Sequence, residues 1–161
     1  VEVEGQFGRV SDITLRTTRI RTNQNTYVVI PNKAIIDSVL KNYSKHGETR
    51  VDVPVGIAYK ESMAAAREAI LKRVPEKVDM VLSSPEPDVV VTDLGDSSVN
   101  LMVRVWIEDA KDLPATQFAV VEESKRALDE VGIEIPFPHL QLFVDNVEDR
   151  VWEKATKLRA G

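Results

Sequence analysis

Thr14 to Ser44 reads T-L-R-T-T-R-I-R-T-N-Q-N-T-Y-V-V-I-P-N-K-A-I-I-D-S-V-L-K-N-Y-S. Ile13 and Leu15 alternate with Thr14 and Arg16, the period of a half-buried strand. Thr22-Asn23-Gln24-Asn25 is a polar break of turn formers, and Thr26 to Ile30 is a second, β-branched run. The two runs predict a hairpin with Arg16, Arg19 and Arg21 on its rim. Pro31 lacks a backbone donor and ends the ladder. Asn32 is placed to cap a short helix in which Ile35, Ile36, Val39 and Leu40 recur at helical spacing. The chain leaves this region through Asn42-Tyr43-Ser44.

Before the hairpin, Gly5 and Gly8 flank Phe7 in a strand pattern, as bends or bulges of a small curved sheet require. After it, the polar stretch Lys45 to Thr49 contains Gly47 and marks a boundary. Val51, Val53, Val55, Ile57 and Tyr59 then share one face of a strand, and Pro54 makes that strand an edge or places a distorted pair there. Met63, Ala66, Ile70 and Val74 predict a helix from Glu61 that Pro75 ends. Pro85-Glu86-Pro87 is a stiff linker, Val89 to Val91 starts a strand, and Leu94 to Ser97 supplies turn residues. Val99 to Ile107 alternates strictly. The next helix, Leu113 to Val131, has Asp112 as a cap and Pro114 in its first turn. Phe118, Val121, Leu128 and Val131 form its apolar face, and Gly132 suits its left-handed stop. A strand Ile133 to Ile135 completes a β-α-β-β-α-β order, the ferredoxin-like plan. Beyond Pro136-Phe137-Pro138, Leu140, Leu142 and Val144 alternate as a strand without a partner in its own unit. Val147, Val151, Ala155 and Leu158 trace a helical tail.

The 161 residues suffice for one ordinary domain or two small ones, and 43% apolar with 29% charged is a globular composition. A formal charge of −5 opposes a surface built to hold phosphate backbones. The absence of cysteine excludes disulfides and thiolate metal sites. No window approaches the roughly 20 apolar residues of a membrane-spanning helix. Val1-Glu2-Val3-Glu4 opens in strand alternation rather than as a signal peptide.

Catalytic and metal constellations are not found. His46 and His139 sit in different units without a second ligand at metal spacing, so no metal is expected. Neither phosphate-cradling glycine motif occurs, and no cofactor is expected. Ser83-Ser84 and Ser97-Ser98 stand outside any nucleophile elbow. Glu108-Asp109, Glu122-Glu123 and Asp145/Glu148 read as solvated faces, so no catalytic residue is assigned and the chain is expected not to be an enzyme. Arg16, Arg19 and Arg21 with Tyr27 form a candidate RNA patch. The competing reading pairs these arginines with acids across a subunit boundary. No RNA-binding aromatic motif lies on Val99–Ile107, so no nucleic acid partner is expected. Trp106 and Trp152 read as packing residues.

Four segments carry a family resemblance in order: L-R-T-T-x-I-R-T, V-x-I-P-N-x-x-I, N-Y-S, and Ser97-Ser98-Val99-Asn100 leading into Val103-Arg104-Val105-Trp106. Val131-Gly132-Ile133-Glu134-Ile135-Pro136-Phe137-Pro138 extends the match. The whole resembles the small-conductance mechanosensitive channel family (MscS-like), from about Gly5 to Val144. The resemblance implies an α+β chain with an Sm-like β-domain over 1–49 and a ferredoxin-like α/β domain over 50–136. Residues 137–161 would supply a C-terminal strand of a parallel inter-subunit barrel plus a helical tail. It marks Arg21, Pro31, Asn32, Asn42, Tyr43, Ser44, Arg104, Pro136 and Pro138 as structural signature residues. Leu140, Leu142 and Val144 become the oligomer interface.

Partners implied by the family are further copies of the chain, seven in a ring, and transmembrane helices preceding Val1. Permeating ions and small solutes would pass through. This portion would lie on the cytoplasmic side of a cell inner membrane, as the vestibule of a tension-gated, weakly selective channel that releases solutes under hypo-osmotic stress. The alternative is a stand-alone ferredoxin-like/Sm-like binding module for a small ligand or RNA.

Overall fold

A computed structural model describes residues 1–138. They build two sheets in sequence. In the first, β1 (Glu2–Val3) turns into β2 (Gln6–Ile13), followed by β3 (Thr17–Thr22), β4 (Tyr27–Pro31), α1 (Asn32–Asp37) and β5 (Leu40–Lys41). The strand order is β4-β3-β2-β1-β5. Glu4 and Gly5 both take positive φ, 47° and 74°. That is what a two-residue hairpin between twisted strands requires. Gly8 has a different reason to be glycine. A Cβ there would stand 2.4 Å from the Arg21 carbonyl oxygen, so β2 approaches β3 too closely for any side chain. The core of this unit is small: Val3, Ile20 and Ile30, with Ala34 and Ile35 of α1 packed against them.

Two expectations change here. The first strand of the expected hairpin begins only at Thr17, because Thr14 closes a turn on it: the Thr14 amide donates to the Thr17 carbonyl (2.8 Å), and the Thr17 amide to Thr14 Oγ1 (3.0 Å). Ile13 therefore ends β2 and Leu15 sits in the turn, 95% exposed. The helix α1 stops at Asp37, since Ser38 is extended and the chain must return to pair Leu40 with Val3. Val39 thus never joins a helical face.

The second unit runs β6 (Thr49–Ile57), α2 (Met63–Lys77), β7 (Asp88–Leu94), β8 (Val99–Ile107) and α3 (Leu113–Glu130). Its antiparallel sheet has the order β6-β8-β7, with Pro54 on an edge strand as its missing donor demands. Both helices lie over one face. Val99, Leu101, Val103, Val105 and Ile107 of β8 all point into that core. Each such side chain contributes roughly 1.5–3 kcal/mol on burial.

Ser62 caps α2 by accepting from the Ala65 amide at 3.3 Å. Pro75 does not end the helix, which continues to Lys77. Pro75 deprives the helix of the bond to the Leu71 carbonyl one turn back, and only two helical residues follow it. Asp112 makes no side-chain cap; a 3-10 turn at Ala110–Asp112 leads into α3, and Asp109 caps that turn instead.

The apolar stripe expected on α3 is also corrected. Phe118 is 72% exposed, and Val121 and Val131 are exposed too; of the four only Leu128 is buried. The buried face is Thr116, Val120, Glu123, Ser124, Ala127 and Leu128. Small residues let α3 approach α2, and Glu123, expected on a solvated face, accepts from Arg73 Nε of α2 at 2.6 Å. Arg73 also pairs with Glu130, and Arg126 with Glu122 and Glu123.

Gly132 has φ 71°, the left-handed stop, after which the Ile133 amide donates back to Leu128. Residues 133–135 form no strand. Beside the end of β6, the Ala58 amide donates to the Glu134 carbonyl (3.0 Å), and Ile133 packs into the core. The fourth strand of the ferredoxin-like plan is reduced to that bridge, and the fold remains α+β with Sm-like and ferredoxin-like units.

Candidate functional site

Asn32 gathers the first signature segments into one place. Its side chain caps no helix. Its Oδ1 accepts from Thr18 Oγ1 at 2.9 Å, and its Nδ2 donates to the carbonyls of Thr14 (2.9 Å) and Leu15 (3.2 Å). The Asn32 amide donates to the Arg16 carbonyl (2.9 Å). One side chain thereby fastens the β2–β3 turn to the start of α1. Pro31 sets this up from the end of β4, paired with Thr17 across the ladder. Thr14 and Thr18 are hydrogen-bond partners of Asn32 that sequence reasoning passed over; no local pattern tied them to an amide more than a dozen residues away.

A second cluster joins the chain's first strand to its exit from the sheet. The Tyr43 hydroxyl donates to the Glu2 carboxylate at 2.6 Å, and Lys41 Nζ approaches the same oxygen at 3.3 Å. The hydrogen bond from Tyr43, then that from Lys41, holds the Glu2 carboxyl below its usual range. Burial, then the bond to Glu2, pushes the Tyr43 phenol up to about 12. Phe7 meets the Tyr43 ring edge to face, centroids 5.4 Å apart. Asn42 Oδ1 accepts from the amide and hydroxyl of Ser44 (3.2 Å each), turning the chain toward β6. Thr49 Oγ1, at the head of β6, donates to the Tyr43 carbonyl at 3.4 Å. Glu2 was missed by the sequence reading, since nothing in a strand-like V-E-V-E marks one acid as a partner.

The arginines separate. Arg19 and Arg21 share the exposed face of β3 with Val29 and Tyr27 opposite them on β4. Arg19 pairs with Asp12 of its own chain at 3.4 Å. Arg21 is forked onto Asn25 Oδ1 by Nε (2.9 Å) and Nη2 (2.7 Å). Arg16 stands apart in the β2–β3 turn. The three therefore do not form one patch, and two of them are engaged within their own hairpins. Arg104 lies on the helix-free face of the second sheet, in register with Asp52 and Asp88. Asp52 is held by Arg50 at 2.7 Å, and the buried Arg104 Nε has no hydrogen-bond partner among the described residues. Pro136 and Pro138 follow the Glu134 bridge. Leu140, Leu142 and Val144, with His139, Trp152 and the helical tail, lie outside the described residues.

No helix among the described residues is long and apolar enough to cross a membrane. What the two clusters provide is mechanical: turns and entry points fixed by side-chain hydrogen bonds.

Comparison with known proteins gives matches along both units. Residues 1–45 match the family model described as mechanosensitive ion channel, beta-domain. Residues 51–135 match that described as mechanosensitive ion channel MscS, C-terminal. An uncharacterised MscS family protein of Archaeoglobus fulgidus is 38% identical over 151 residues, covering 91% of this chain and 51% of the relative. A small-conductance mechanosensitive channel of Edwardsiella ictaluri is 32% identical over 142 residues, covering 88% of this chain and 49% of the relative. The crystal structure of Helicobacter pylori MscS in a closed state superposes with a TM-score of 0.78 at 25% identity, covering 91% of this chain and 57% of that one. The chain thus spans about half the length of the curated relatives it matches.

Proposed function

The chain belongs to the family of MscS mechanosensitive ion channels, and we propose that it is the extramembrane part of such a channel's subunit. In this reading the remaining length of the full protein supplies the membrane helices, preceding Val1. Seven copies assemble into a ring below the pore, on the cytoplasmic side of a cell inner membrane. The α/β units enclose a vestibule through which ions and small solutes pass when membrane tension opens the pore. Leu140, Leu142 and Val144 close its base as a parallel barrel, in which every strand edge is paired by a neighbour. The work is done by shape, charge and mechanical linkage, without bond making.

The observation that carries this reading is the ordered match of two distinct channel-family models to two consecutive units on one α+β scaffold. A lone binding module accounts for the fold but not for the ordered match of channel-family models across both units, and two of the three arginines it would rely on are held by Asp12 and Asn25.

The test is electrical. Membrane patches from cells lacking other tension-gated channels, expressing the full-length protein, should pass current when suction is applied. The 161-residue chain alone, added to bilayers, should pass none, because an unpaired polar backbone cannot cross lipid. Patches silent up to rupture tension, with the protein demonstrably in the membrane, would remove the proposal.

A further inference from the structure

Tyr43 is bonded in two directions. Its hydroxyl donates to the Glu2 carboxylate on β1 at 2.6 Å, and its carbonyl accepts from Thr49 Oγ1 at the head of β6 at 3.4 Å. One residue therefore joins the strand that begins the first unit to the strand that begins the second.

The pair lies on one face of the first sheet. Side chains of β1 alternate, so Val3 enters the small core with Ile20 and Ile30 while Glu2 takes the opposite side. Across the ladder Glu2 stands between Phe7 of β2 and Lys41 of β5. Tyr43 comes to the same side two residues after Lys41, and its ring meets Phe7 edge to face.

The hydroxyl has a task separate from that of the ring. Phenylalanine would keep the contact with Phe7; only the O–H holds Glu2. A partly buried phenol requires a partner, and 2.6 Å to a carboxylate is the length of a charge-assisted hydrogen bond. Lys41 approaches the same oxygen at 3.3 Å from a mostly exposed position, where an ion pair counts for little.

This inference rests on the channel reading, in which residues before Val1 come from the membrane helices. Glu2 is then among the first residues of the extramembrane body that those helices reach. Opening a pore moves the helices that line it. A bond made equally well before and after that movement shifts no equilibrium, whereas one made only before it favours the shut pore. A chain outside a membrane bears no tension, so the bond seen here belongs to the resting arrangement. We propose that Tyr43 is a positioning residue of the channel: its hydroxyl holds Glu2, and with it the entry strand, at rest, and releases it as the pore opens.

The test compares full-length variants in membrane patches from cells lacking other tension-gated channels. Tyr43→Phe should shift opening to a lower tension than the parent's, by more than the scatter between patches. Glu2→Ala should match it, and the double variant should go no lower than either, because one bond is lost only once. Glu2→Gln keeps an oxygen for the Tyr43 hydroxyl and should open near the parent's tension.

An unshifted or raised threshold in Tyr43→Phe overturns the proposal, as does an additive double variant. Glu2→Gln as low as Glu2→Ala would assign the effect to the charge facing Lys41 and overturn it equally. Denaturant unfolding of the same variants in the 161-residue chain identifies a merely structural role. A lowered midpoint with an unmoved threshold would mean that the bond steadies the fold and does nothing more. A silent parent, demonstrably in the membrane, removes the channel reading and this inference with it. A conducting parent with unmoved variants removes this inference alone.

Discussion

Replacing Asn32 with alanine removes one acceptor and two donors in a single step. Thr18 Oγ1, on a buried threonine, loses its acceptor, and the Thr14 and Leu15 carbonyls lose their shared donor. The expected loss is about 1–3 kcal/mol of stability, read from the denaturant midpoint. Asn32→Ser separates this role from helix capping. Serine caps a helix as well as asparagine does but cannot reach both the turn carbonyls and Thr18, so it should not rescue. Full rescue by serine would reinstate the cap. The position was legible in the sequence as a polar residue after Pro31; its partners were not. A cap is satisfied within three residues, and that local solution is all a linear pattern can display. The competing solution lay across the sheet, and the hairpin that brings it near had to exist first.

At the scale of elements, α2 and α3 are joined by a charged contact as well as by apolar packing. The hydrogen bond from Arg73, opposed by the desolvation of a mostly buried carboxylate, holds Glu123 below the usual glutamate range. Because its folded value is depressed, its contribution is complete above the unfolded value of about 4.3 and disappears as the pH falls through the lower folded value. Glu123→Gln should therefore be less stable than the parent at pH 7, with the gap closing toward pH 3. Denaturant unfolding at the two pH values measures it. A gap of the same size at both would show that Glu123 acts through shape rather than charge. Strict alternation made β8 readable, because a strand buried on one face has a single periodic solution. On α3 the same logic selected Phe118 and Val121 over the true contact face. The helix carries two stripes, and the one that packs mixes Val120, Ala127 and Leu128 with Thr116, Ser124 and Glu123, the last of which accepts from Arg73. Pro75 misled for a related reason: a helix tolerates proline where few bonds remain to be lost.

On the scale of the whole molecule, edges remain. The first sheet ends in β4 and β5, the second in β6 and β7. Unpaired edges invite association, and on the proposed reading neighbouring copies in the ring cover some of them. Leu142→Glu should shrink the sedimenting species while leaving circular dichroism unchanged, since it targets the proposed barrel rather than the core of one chain. An unchanged size, or collapse of the fold, would place that strand within the subunit's own core and remove the barrel. Apolar alternation after two prolines made the segment conspicuous in the sequence. On the proposed reading its pairing is a property of several chains, which one chain's pattern cannot encode.

The short first strand has a consequence of its own. β1 is two residues long, yet it is bonded to β2 on one side and β5 on the other, and Glu2 is tied to Tyr43. A pull along the chain at Val1 loads these bonds in shear, so they share the load rather than yield one after another. β2 takes one share of the load, and another passes through Tyr43, whose carbonyl accepts from Thr49 at the head of β6. The first strand is thus a splice, lapped between two neighbours so that no single one carries the whole pull.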